Sequence, residues 1–431
     1  MERLVIKGGR PLVGEVEVRG SKNAASKLIV ASLLTKEPCV IENVPLSAEI
    51  DITRELCEYV GSDIHVEGRK MTIQTRAIKN FSVSELSRKN RIPILAIGPL
   101  LHRSGRAEVP VLGGCPIGHR PVNFHIEALN KLGARIERRE RSYFAQASEL
   151  QGAEIYFPYP SVGATENVLL SAVLAQGKTI VVNAAIEPEI MNLVDMLVKM
   201  GARISVDEMS RRVEIEGVSR LGGVAISVMP DRNEAVSFVT AALATDGDIF
   251  IKNIETRYLH SFMEKVAALG AYYEVQEGGI RFFGEKPYRA VSLDTAPHPA
   301  FMTDWQQPFL VLLTQARGKS IIHETVYEDR FGYTKDLQRM GADIMVSDEC
   351  PEGSKCRFYG QTFNHVAHVF GPTKLRGGEI TMTDIRAGMA HIVAALAAEG
   401  ESVISGVEHV DRGYERIDER LRELGADIKR V

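Results

Sequence analysis

The sequence predicts a two-lobed α/β protein built from six repeats of about 70 residues, with three repeats in each lobe. Three observations lead to this fold class. A glycine motif recurs at a nearly constant spacing, alternating strand patterns follow it, and every repeat also contains a helix that is apolar on almost all faces. Six such units are too many for one hydrophobic core, so we expect two lobes of three.

The recurring motif is an apolar residue followed by glycine and a short alternating segment. Its glycines are 72, 68, 69, 71 and 84 residues apart. An amphipathic segment precedes each glycine, which is therefore expected to end a helix in the left-handed conformation. Strand patterns follow, as at residues 204–207 and 213–216. The six glycines are Gly61, Gly133, Gly201, Gly270, Gly341 and Gly425.

The second helix of each repeat is apolar nearly all round, which places it inside a lobe. The strands alternate sharply between apolar and polar residues, so the sheets should keep one solvated face and cover the helices with the other. The predicted helices lie near residues 24–34, 93–101, 166–175, 234–244, 306–316 and 387–398. A turn and a strand come next, for example at residues 39–43, 178–183, 248–253 and 319–323.

Composition places the chain among ordinary globular proteins and excludes several partners. Hydrophobic residues make up 45% of the chain and charged residues 25%. A net charge of -4 argues against nucleic-acid binding, and no apolar stretch approaches the roughly 20 residues that span a bilayer. The first residues do not resemble a signal peptide. We therefore expect a cytoplasmic protein with neither a nucleic-acid nor a membrane partner.

Five cysteines, odd in number and scattered, fit a reducing compartment better than a disulfide framework. Cys350 and Cys356 are six residues apart in a turn-forming stretch. A metal site there would need a second pair of ligands, and the neighbouring sequence offers none. The pattern favours two free cysteines flanking a hairpin, and the predicted site contains no metal.

Charged and capping residues stand just before the six apolar helices, at the period of the repeat. If the helices of a lobe run side by side, their amino ends converge, and two facing lobes would surround a cleft with six such ends. Helix amino ends bind anions, and the cations among these residues add to that field. The residues are Lys22, Asn23, Arg91, Ser161, Val162, Gly163, Asp231, Arg232, Asp304, Asp384, Ile385 and Arg386.

Simple capping is the alternative for several of these positions, because Asn23, Ser161, Asp231 and Asp304 are all favourable caps. Asp304 is also placed among cations, where a carboxylate stays ionised and can accept a proton from a bound hydroxyl. Arg412, beside a glycine before the last amphipathic helix, suggests a further anion site. It could equally be a solvated surface arginine.

Residues 111–121 combine three glycines, two prolines, Cys115 and Arg120. Neither a helix nor a strand interior tolerates that density of glycine and proline, so the stretch should be a mobile surface loop. A thiol on such a loop can meet a substrate and be tuned by nearby cations. The alternative is an ordinary turn with an unused cysteine, which the position of the loop beside the predicted cationic helix ends makes less attractive.

Seven motifs in this order resemble the enolpyruvyl transferase family, and among its members those that act on UDP-N-acetylglucosamine. The likeness runs end to end. The motifs are Gly20–Ala25, Gly113–Pro121, Ser161–Thr165, Pro230–Arg232, Thr295–Asp304, Asp384–Ala387 and Asp411–Arg416.

The resemblance implies an inside-out α/β barrel, also called an α/β prism, in each lobe, with the helices buried. It implies a catalytic lobe at residues 21–228 that carries the Cys115 loop, and a second lobe made of residues 1–20 and 229–431. The active site would lie in the cleft between the lobes, which would close around both substrates.

The resemblance also implies the reaction: the enolpyruvyl group of phosphoenolpyruvate passes to the 3-hydroxyl of UDP-N-acetylglucosamine and phosphate is released, in peptidoglycan precursor synthesis. The mechanism is addition followed by elimination through a tetrahedral ketal. Cys115 would be the acid and could also add to phosphoenolpyruvate, and Asp304 would take the sugar proton. No metal or other cofactor is implied, because the cations supply the electrostatic stabilisation.

The remaining implied roles concern binding. Lys22, Arg120 and Arg412 would hold the phosphate, and Arg386 the carboxylate. Asn23 and Arg91 would fix the ketal and the substrate. Asp231 is a further expected binding residue. The nucleotide-sugar pocket would be lined by Arg120, Pro121, Val122, Asn123, Phe124, Ser161, Val162, Gly163 and Val326.

Four positions depart from the family pattern, and two of them motivate an alternative. Ala48 and Tyr159 stand where the family usually has lysine, while Leu95 and Trp305 change the position of the tryptophan. An enolpyruvyl transferase that acts on another nucleotide in secondary metabolism therefore stays open. So does a non-catalytic nucleotide-sugar-binding paralogue, although a pure binder has no need of a loop thiol. A shikimate-pathway synthase is disfavoured because that relative does not use the cysteine loop.

Overall fold

The computed structural model describes residues 2–86, 91–111, 122–352 and 356–431. Its residues divide into two compact units. The first contains the chain up to Arg19 and then Pro230–Val431, and the second contains the described residues from Gly20 to Met229. The lobe boundaries expected from the family resemblance, 20/21 and 228/229, differ from this division by one residue at each crossing.

The strands are short, most of them three to six residues long, and their bounds follow in chain order. They are β1 (Arg3–Lys7), β2 (Val13–Glu17), β3 (Cys39–Glu42), β4 (Asp63–Glu67), β5 (Lys70–Gln74), β6 (Arg106–Pro110), β7 (Arg135–Arg138), β8 (Ser142–Gln146), β9 (Glu154–Tyr156), β10 (Lys178–Val182), β11 (Arg203–Asp207), β12 (Arg212–Glu216), β13 (Val224–Ser227), β14 (Asp248–Lys252), β15 (Tyr272–Gln276), β16 (Gly279–Phe283), β17 (Tyr288–Arg289), β18 (Ser292–Asp294), β19 (Ala316–His323), β20 (Asp343–Ser347), β21 (Val366–Gly371), β22 (Glu379–Thr381), β23 (Glu401–Ser405) and β24 (Asp427–Arg430).

The helices alternate along the chain between buried and amphipathic ones. They are α1 (Lys22–Ala31), α2 (Ala48–Val60), α3 (Ile97–Ser104), α4 (Asn123–Lys131), α5 (Val162–Ala172), α6 (Pro188–Lys199), α7 (Arg232–Ala244), α8 (His260–Leu269), α9 (Gln306–Leu313), α10 (Thr334–Arg339), α11 (Ile385–Ala397), α12 (Glu408–Asp411) and α13 (Ile417–Glu423). Short 3-10 segments lie at Ser32–Leu34, Ile92–Ala96, Thr256–Tyr258 and Thr303–Trp305.

The described strands form six sheets, and each sheet belongs to one repeat. A complete repeat contains an edge strand, a buried helix, a central strand, an amphipathic helix and a β-hairpin. In the repeat formed by β9–α5–β10–α6–β11–β12, for instance, β9 pairs in parallel with β10, and β12 pairs antiparallel with both β10 and β11. The other orders are β13-β3-β5-β4, β6-β8-β7, β15-β16-β14-β2, β17-β19-β21-β20 and β22-β23-β1-β24.

The chain assembles three of these sheets from segments that are distant in sequence. β1 pairs antiparallel with β23 and β24 and completes the last repeat. β2 pairs in parallel with β14, and β13 pairs in parallel with β3. Each unit therefore contains three sheets, and the first two strands of the chain belong with its carboxyl-terminal half.

The predicted glycine ends of the amphipathic helices are confirmed. All six motif glycines have positive φ, from 92° at Gly270 to 124° at Gly61. At Gly61 an added Cβ would also lie 2.8 Å from the carbonyl oxygen of Ala77, too close for any side chain. The motif is therefore periodic because the same helix-to-strand turn is built six times.

The apolar helices form the core of each unit, as the sequence predicted. Every residue of α7 is buried, and α7, α9 and α11 pack against one another. The strands cover them with their buried face and leave the other exposed. The prediction of an inside-out α/β architecture, with sheets outside and helices inside, is thus confirmed. Some predicted helix bounds are wrong by three or four residues. The helix expected near 166–175 lies at Val162–Ala172, and the helix expected to reach residue 316 ends at Leu313, because β19 starts at Ala316.

Candidate active site

Asp304 lies between two buried arginines of its own unit. Its Oδ1 accepts a hydrogen bond from Arg330 Nη2 at 2.7 Å, and its Oδ2 accepts one from Arg386 Nε at 3.1 Å. The side chains of Arg330 and Arg386 are only 3% and 8% exposed. Burial raises the pKa of the Asp304 carboxyl, but the two guanidinium charges outweigh burial and hold that pKa well below its usual range. Asp304 is therefore a carboxylate at neutral pH.

Arg386 connects this ion pair to a buried hydroxyl network. It is the second residue of α11, and its Nη1 donates to the hydroxyl of Tyr414 at 2.9 Å. That hydroxyl also lies 2.7 Å from Oγ of Ser237 on α7. Burial lowers the pKa of the Arg386 guanidinium, but Tyr414, Asp304 and Asp231 together raise it above its usual value. Arg386 thus stays charged, with its guanidinium fixed at the amino end of the buried helix.

Aspartates at the amino ends of α7 and α11 are caps. Asp231 accepts hydrogen bonds from the backbone N–H groups of Asn233 at 2.8 Å and Glu234 at 3.3 Å. Asp384 accepts from those of Arg386 at 2.9 Å and Ala387 at 3.0 Å. The capping alternative is therefore realised at Asp231, and a binding role for its charge stays a prediction. Asp304 is the second residue of the 3-10 segment Thr303–Trp305 and not a cap, and its carboxylate accepts hydrogen bonds from the two arginines instead.

Trp305 and Arg232 pack against each other next to Asp304 and are part of the core around this site. Trp305 is 1% exposed and makes edge contacts with Phe262 and Phe301, at centroid distances of 6.0 and 5.5 Å. The guanidinium of Arg232, the first residue of α7, lies 5.5 Å from the Trp305 ring centroid. The aromatic residue that departs from the family pattern is therefore a core residue beneath Asp304.

In the other unit, two predicted pocket segments are neighbours. Ser161–Gly163 starts α5, where Ser161 Oγ accepts a weak cap bond from Ala164 at 3.4 Å, and Asn123 and Phe124 start α4. His125 joins them, because an added Cβ at Gly163 would lie 3.0 Å from its Cε1 and its Nδ1 lies 3.2 Å from Asn167 Nδ2. Phe124 packs on Phe157 at a centroid distance of 6.1 Å. Val122, half-buried, precedes α4 directly.

The remaining predicted residues of this unit lie at helix starts. Lys22 and Asn23 are the first two residues of α1, both half-buried. Asn23 is thus inside the helix and not its cap, and Ser21 occupies the capping position. Arg91 precedes the 3-10 segment Ile92–Ala96, which continues into α3. Positions at helix amino ends suit anion binding, and these three residues keep that predicted role.

Arg412 and Val326 lie in the same unit as Asp304. The sequence predicted that Arg412 precedes the last amphipathic helix, and it does, but α13 starts only at Ile417. Arg412 instead directly follows α12, Glu408–Asp411, which the sequence did not predict. Arg412 itself therefore does not begin a helix, and its role in anion binding stays a prediction. Val326, half-buried, donates its backbone N–H to Glu324 Oε1 at 2.8 Å.

Cys115, Arg120 and Pro121 lie outside the described residues, so their predicted roles as acid, phosphate ligand and pocket residue stay predictions. Sequence reasoning missed Arg330 and Tyr414, which hold Asp304 and Arg386. Arg330 has no motif around it, and only its place in the loop that follows β19 could have suggested a contact with Asp304. Tyr414 is in the Asp411–Arg416 motif but carried no assigned role.

Sequence reasoning also missed ligands around Cys350 and Cys356, both free thiols. The expectation that they have no partner pair is wrong, because His323 and His365 lie beside them. These histidines come from the end of β19 and the residue before β21, so their proximity depends on the pairing of those strands. Sequence spacing could not reveal it.

Within the part of the chain that the structure describes, no helix has the length and apolarity needed to cross a membrane.

Comparison with known proteins gives the family. The model of the EPSP synthase (3-phosphoshikimate 1-carboxyvinyltransferase) family matches residues 6–421. The UDP-N-acetylglucosamine 1-carboxyvinyltransferase of Protochlamydia amoebophila is 46% identical over 100% of this chain and 95% of its own length. That of Desulfosudis oleivorans is 41% identical over the whole of both chains.

Two solved structures share the fold. The enolpyruvyl transferase NikO of Streptomyces tendae superposes with a TM-score of 0.87, at 23% identity, over 100% of this chain and 99% of its own. The EPSP synthase of Acinetobacter baumannii gives a TM-score of 0.74 at 18% identity over the whole of both chains. From the full-length match to the family model and the identity with its curated relatives, the chain belongs to the EPSP synthase family and, within it, to the UDP-N-acetylglucosamine 1-carboxyvinyltransferases.

Proposed function

We propose that this protein transfers the enolpyruvyl group of phosphoenolpyruvate to the 3-hydroxyl of UDP-N-acetylglucosamine and releases phosphate, the step that opens peptidoglycan precursor synthesis. The structural observation that carries the proposal is the Asp304 carboxylate held between Arg330 and Arg386. The name shared by the full-length relatives supplies the acceptor. Cytoplasmic location is part of the proposal, since free cysteines fit a reducing compartment.

Arg386 is proposed to bind the carboxylate of phosphoenolpyruvate. An arginine fork is suited to a carboxylate because its donors can engage both oxygens. Its position at the amino end of α11 adds the positive helix end to its own charge. Tyr414 accepts from Nη1, and this contact orients the guanidinium before the substrate arrives.

Asp304 is proposed to take the proton of the sugar 3-hydroxyl. As described above, its two arginines keep it ionised but also make it a weak base. When the substrate carboxylate engages Arg386, it competes with Asp304 for that guanidinium, and the pKa of Asp304 rises. The base would therefore become effective only after phosphoenolpyruvate has bound, while Arg330 keeps the carboxylate in place.

Cys115 is proposed to deliver the proton to the vinyl carbon during addition. The sugar oxygen bonds to the neighbouring carbon, giving the tetrahedral ketal. Elimination then breaks the bond to phosphate and removes a proton from the former vinyl carbon, which restores the double bond. Lys22, Arg120 and Arg412 would bind the phosphate, and Asn23 and Arg91 the ketal. A site between the two lobes remains the expectation from the family resemblance.

Asp231 is proposed to contribute its charge near the bound substrate in addition to its cap. The nucleotide-sugar pocket is proposed to contain two sets of residues. The first set is Val122, Asn123, Phe124, Ser161, Val162 and Gly163, which the structure brings together through His125. The second set is Arg120, Pro121 and Val326.

A second candidate is transfer to another nucleotide, motivated by Ala48 and Tyr159. Ala48 is the first residue of α2 and brings no charge to that helix end, and Tyr159 is half-buried near the start of α5. Two cations that would meet a diphosphate are thus absent at these positions. A nucleotide with a single phosphate would need them less.

The test is phosphate release from phosphoenolpyruvate with a panel of acceptors. We expect turnover with UDP-N-acetylglucosamine, and Cys115→Ser should abolish it while Cys115→Asp, which keeps an acid, should retain part of it. Release with uridine monophosphate but not with UDP-N-acetylglucosamine would favour the second candidate. Binding of UDP-N-acetylglucosamine without turnover on any acceptor would indicate the non-catalytic paralogue.

A further inference from the structure

A cluster of four potential metal ligands lies in the unit that contains Asp304, outside the proposed active site. It consists of two cysteines and two histidines, hereafter the Cys2His2 cluster. Its members are His323, Cys350, Cys356 and His365, and their ligand atoms all lie within 4.8 Å of one another. Both histidines are buried, at 1% and 0% exposed, and both cysteines are half-buried.

Three distances within the cluster are close to those of a tetrahedral site. Cys356 Sγ lies 3.2 Å from His323 Nε2 and 3.3 Å from His365 Nε2, and Cys350 Sγ lies 3.3 Å from His365 Nε2. With zinc bonds of about 2.3 Å to sulfur and about 2.0 Å to nitrogen, tetrahedral ligand atoms lie roughly 3.3–3.8 Å apart. The four side chains thus need only small shifts to bind one ion.

Both imidazoles are oriented from behind with Nε2 toward the sulfurs. Nδ1 of His323 lies 2.9 Å from the carboxylate oxygen Oδ1 of Asp294, and Nδ1 of His365 lies 3.0 Å from the carbonyl oxygen of Phe363. A carbonyl oxygen or a carboxylate can only accept, so each Nδ1 carries the hydrogen and each Nε2 presents its lone pair to the cluster. Metal-binding histidines in proteins are oriented in this way.

Hydrogen bonding alone does not account for the three sulfur–nitrogen contacts. With both Nε2 atoms as acceptors, the only donors are the two thiol hydrogens, and each can serve one contact. One contact is then a close approach of a sulfur and a nitrogen with no hydrogen between them. A cation at the centre satisfies all four ligand atoms at once.

We propose that the Cys2His2 cluster binds a structural zinc ion. Two thiolates and two neutral imidazoles are a typical donor set for tetrahedral zinc, and four protein ligands leave no position open for a substrate. Binding releases the two thiol protons, and the two thiolate charges then balance the charge of the ion. The rim of the site is aromatic, since Phe358 packs against His365 at a centroid distance of 5.7 Å.

The proposed ion would fix the connection between β20 and β21. Residues 348–365 connect β20 to β21, and none of the described residues of this connection, 348–352 and 356–365, lies in a helix or strand. Connections of this length without regular structure are uncommon in compact domains. The ion would join the beginning, middle and end of this connection to β19. From there Arg357, beside Cys356, donates to the carbonyl oxygen of Val326 at 3.1 Å, so the clamp also holds a predicted pocket residue.

Metal analysis of untagged, full-length protein tests the proposal. We expect about one zinc per chain to survive gel filtration, as a closed four-ligand site predicts. The double substitution Cys350→Ser and Cys356→Ser should remove at least about nine tenths of it, because the thiolates are the charged ligands. The matched control is Cys39→Ser, which changes a buried free cysteine of the other unit and should leave the metal content unchanged.

A second measurement does not depend on the folding of a variant. Chelator-treated wild-type protein, reloaded with cobalt(II), should show the thiolate charge-transfer bands and the strong visible absorption of a tetrahedral site, and zinc should abolish both. Chelation should also lower the melting temperature of the wild type but not that of the folded double variant. These outcomes are independent of turnover, so they stand or fall separately from the proposed function.

Three results would overturn the proposal. The first is wild-type protein without bound zinc that develops no cobalt bands. The second is unchanged metal content in the double variant, which would place the ion elsewhere. The third is a mass two hydrogens lower under native, non-reducing conditions together with loss of the two reactive thiols, which would identify a disulfide between Cys350 and Cys356.

Discussion

Replacing Asp304 by asparagine removes the proposed base with almost no change of shape. Asparagine keeps an oxygen for one arginine but cannot take a proton from the sugar hydroxyl. Loss of general base catalysis costs about 10²- to 10⁴-fold in kcat, or about 3–5 kcal/mol of barrier. We therefore expect Asp304→Asn to lower phosphate release by that factor at saturating substrates.

The same substitution also perturbs stability, and the size of this effect follows from burial. Arg330 and Arg386, 3% and 8% exposed, lose their shared counter-charge. Leaving buried charges without a partner costs about 3–5 kcal/mol, and Glu324 near Arg330 offsets part of this. Urea unfolding at neutral pH should show the loss directly.

The pH dependence of this loss has a definite sign. Because the folded pKa of Asp304 lies below the unfolded value, its contribution is complete above the unfolded pKa of about 3.9 and disappears as pH falls toward the folded one. The stability difference between wild type and Asp304→Asn should therefore be constant near neutrality and shrink below about pH 4.

The control is Asp195→Asn, which breaks an exposed ion pair with Lys199 of 2.8 Å and should change neither turnover nor stability by much. Folded Asp304→Asn protein that keeps turnover within about threefold of wild type would refute the assignment of Asp304 as the base. A stability difference that grows on acidification would refute the reasoning on its pKa.

Three further substitutions test other parts of the site. Tyr414→Phe removes the acceptor of Arg386 Nη1 and should raise the KM for phosphoenolpyruvate about 5- to 30-fold. The control Tyr288→Phe removes another buried tyrosine hydrogen bond of this unit and should leave that KM unchanged. The same KM in Tyr414→Phe as in the wild type would contradict the orienting role. Asp231→Asn keeps the cap of α7, whereas Asp231→Ala removes it and should lower the free energy of unfolding by about 1 kcal/mol. Lost activity with retained stability in Asp231→Asn would show that the charge of Asp231 acts on the substrate. Unchanged activity in that variant would show that Asp231 is only a cap. Burial, opposed by Lys27 and reinforced by Glu189 and Glu187, raises the pKa of Glu166 to about 7. Between pH 4.5 and 7 the folded state therefore keeps a proton on Glu166 that the unfolded state has lost, so the stability of the wild type should fall by up to roughly 3 kcal/mol over this range. In urea unfolding, Glu166→Gln should flatten this dependence of stability on pH, and an unchanged dependence would contradict the assignment.

The fold was predictable because the same local sequence pattern, with the same conformational requirement, recurs in every repeat. Gly61 and Gly425 end helices of different repeats, and each requires the same left-handed turn, so a short motif that recurs six times reveals the architecture. The burial of α7 was likewise visible, since a helix with no polar face has to lie inside. Helix bounds were less predictable, as at Leu313, where the start of β19 decides the end of α9.

The site was predictable where a motif marks a helix start, and hidden where contacts are made across the fold. Asp304 and Arg386 stand at periodic positions, but Arg330 reaches Asp304 from a loop that carries no pattern. α12, which directly precedes Arg412, was not predicted because a helix of four residues is too short to leave a periodic signal. His323 meets Cys356 and His365 only through the pairing of β19 with β21, which no spacing rule encodes.

The most direct test of the central claim is to identify the product formed from phosphoenolpyruvate and UDP-N-acetylglucosamine. Using phosphoenolpyruvate labelled with ¹³C at the vinyl carbon, the account predicts that NMR will find the enolpyruvyl group as an ether on the 3-oxygen of the sugar, with one phosphate released for each ether formed. Phosphate release without the ether, or an ether on another hydroxyl or another nucleotide only, would contradict it.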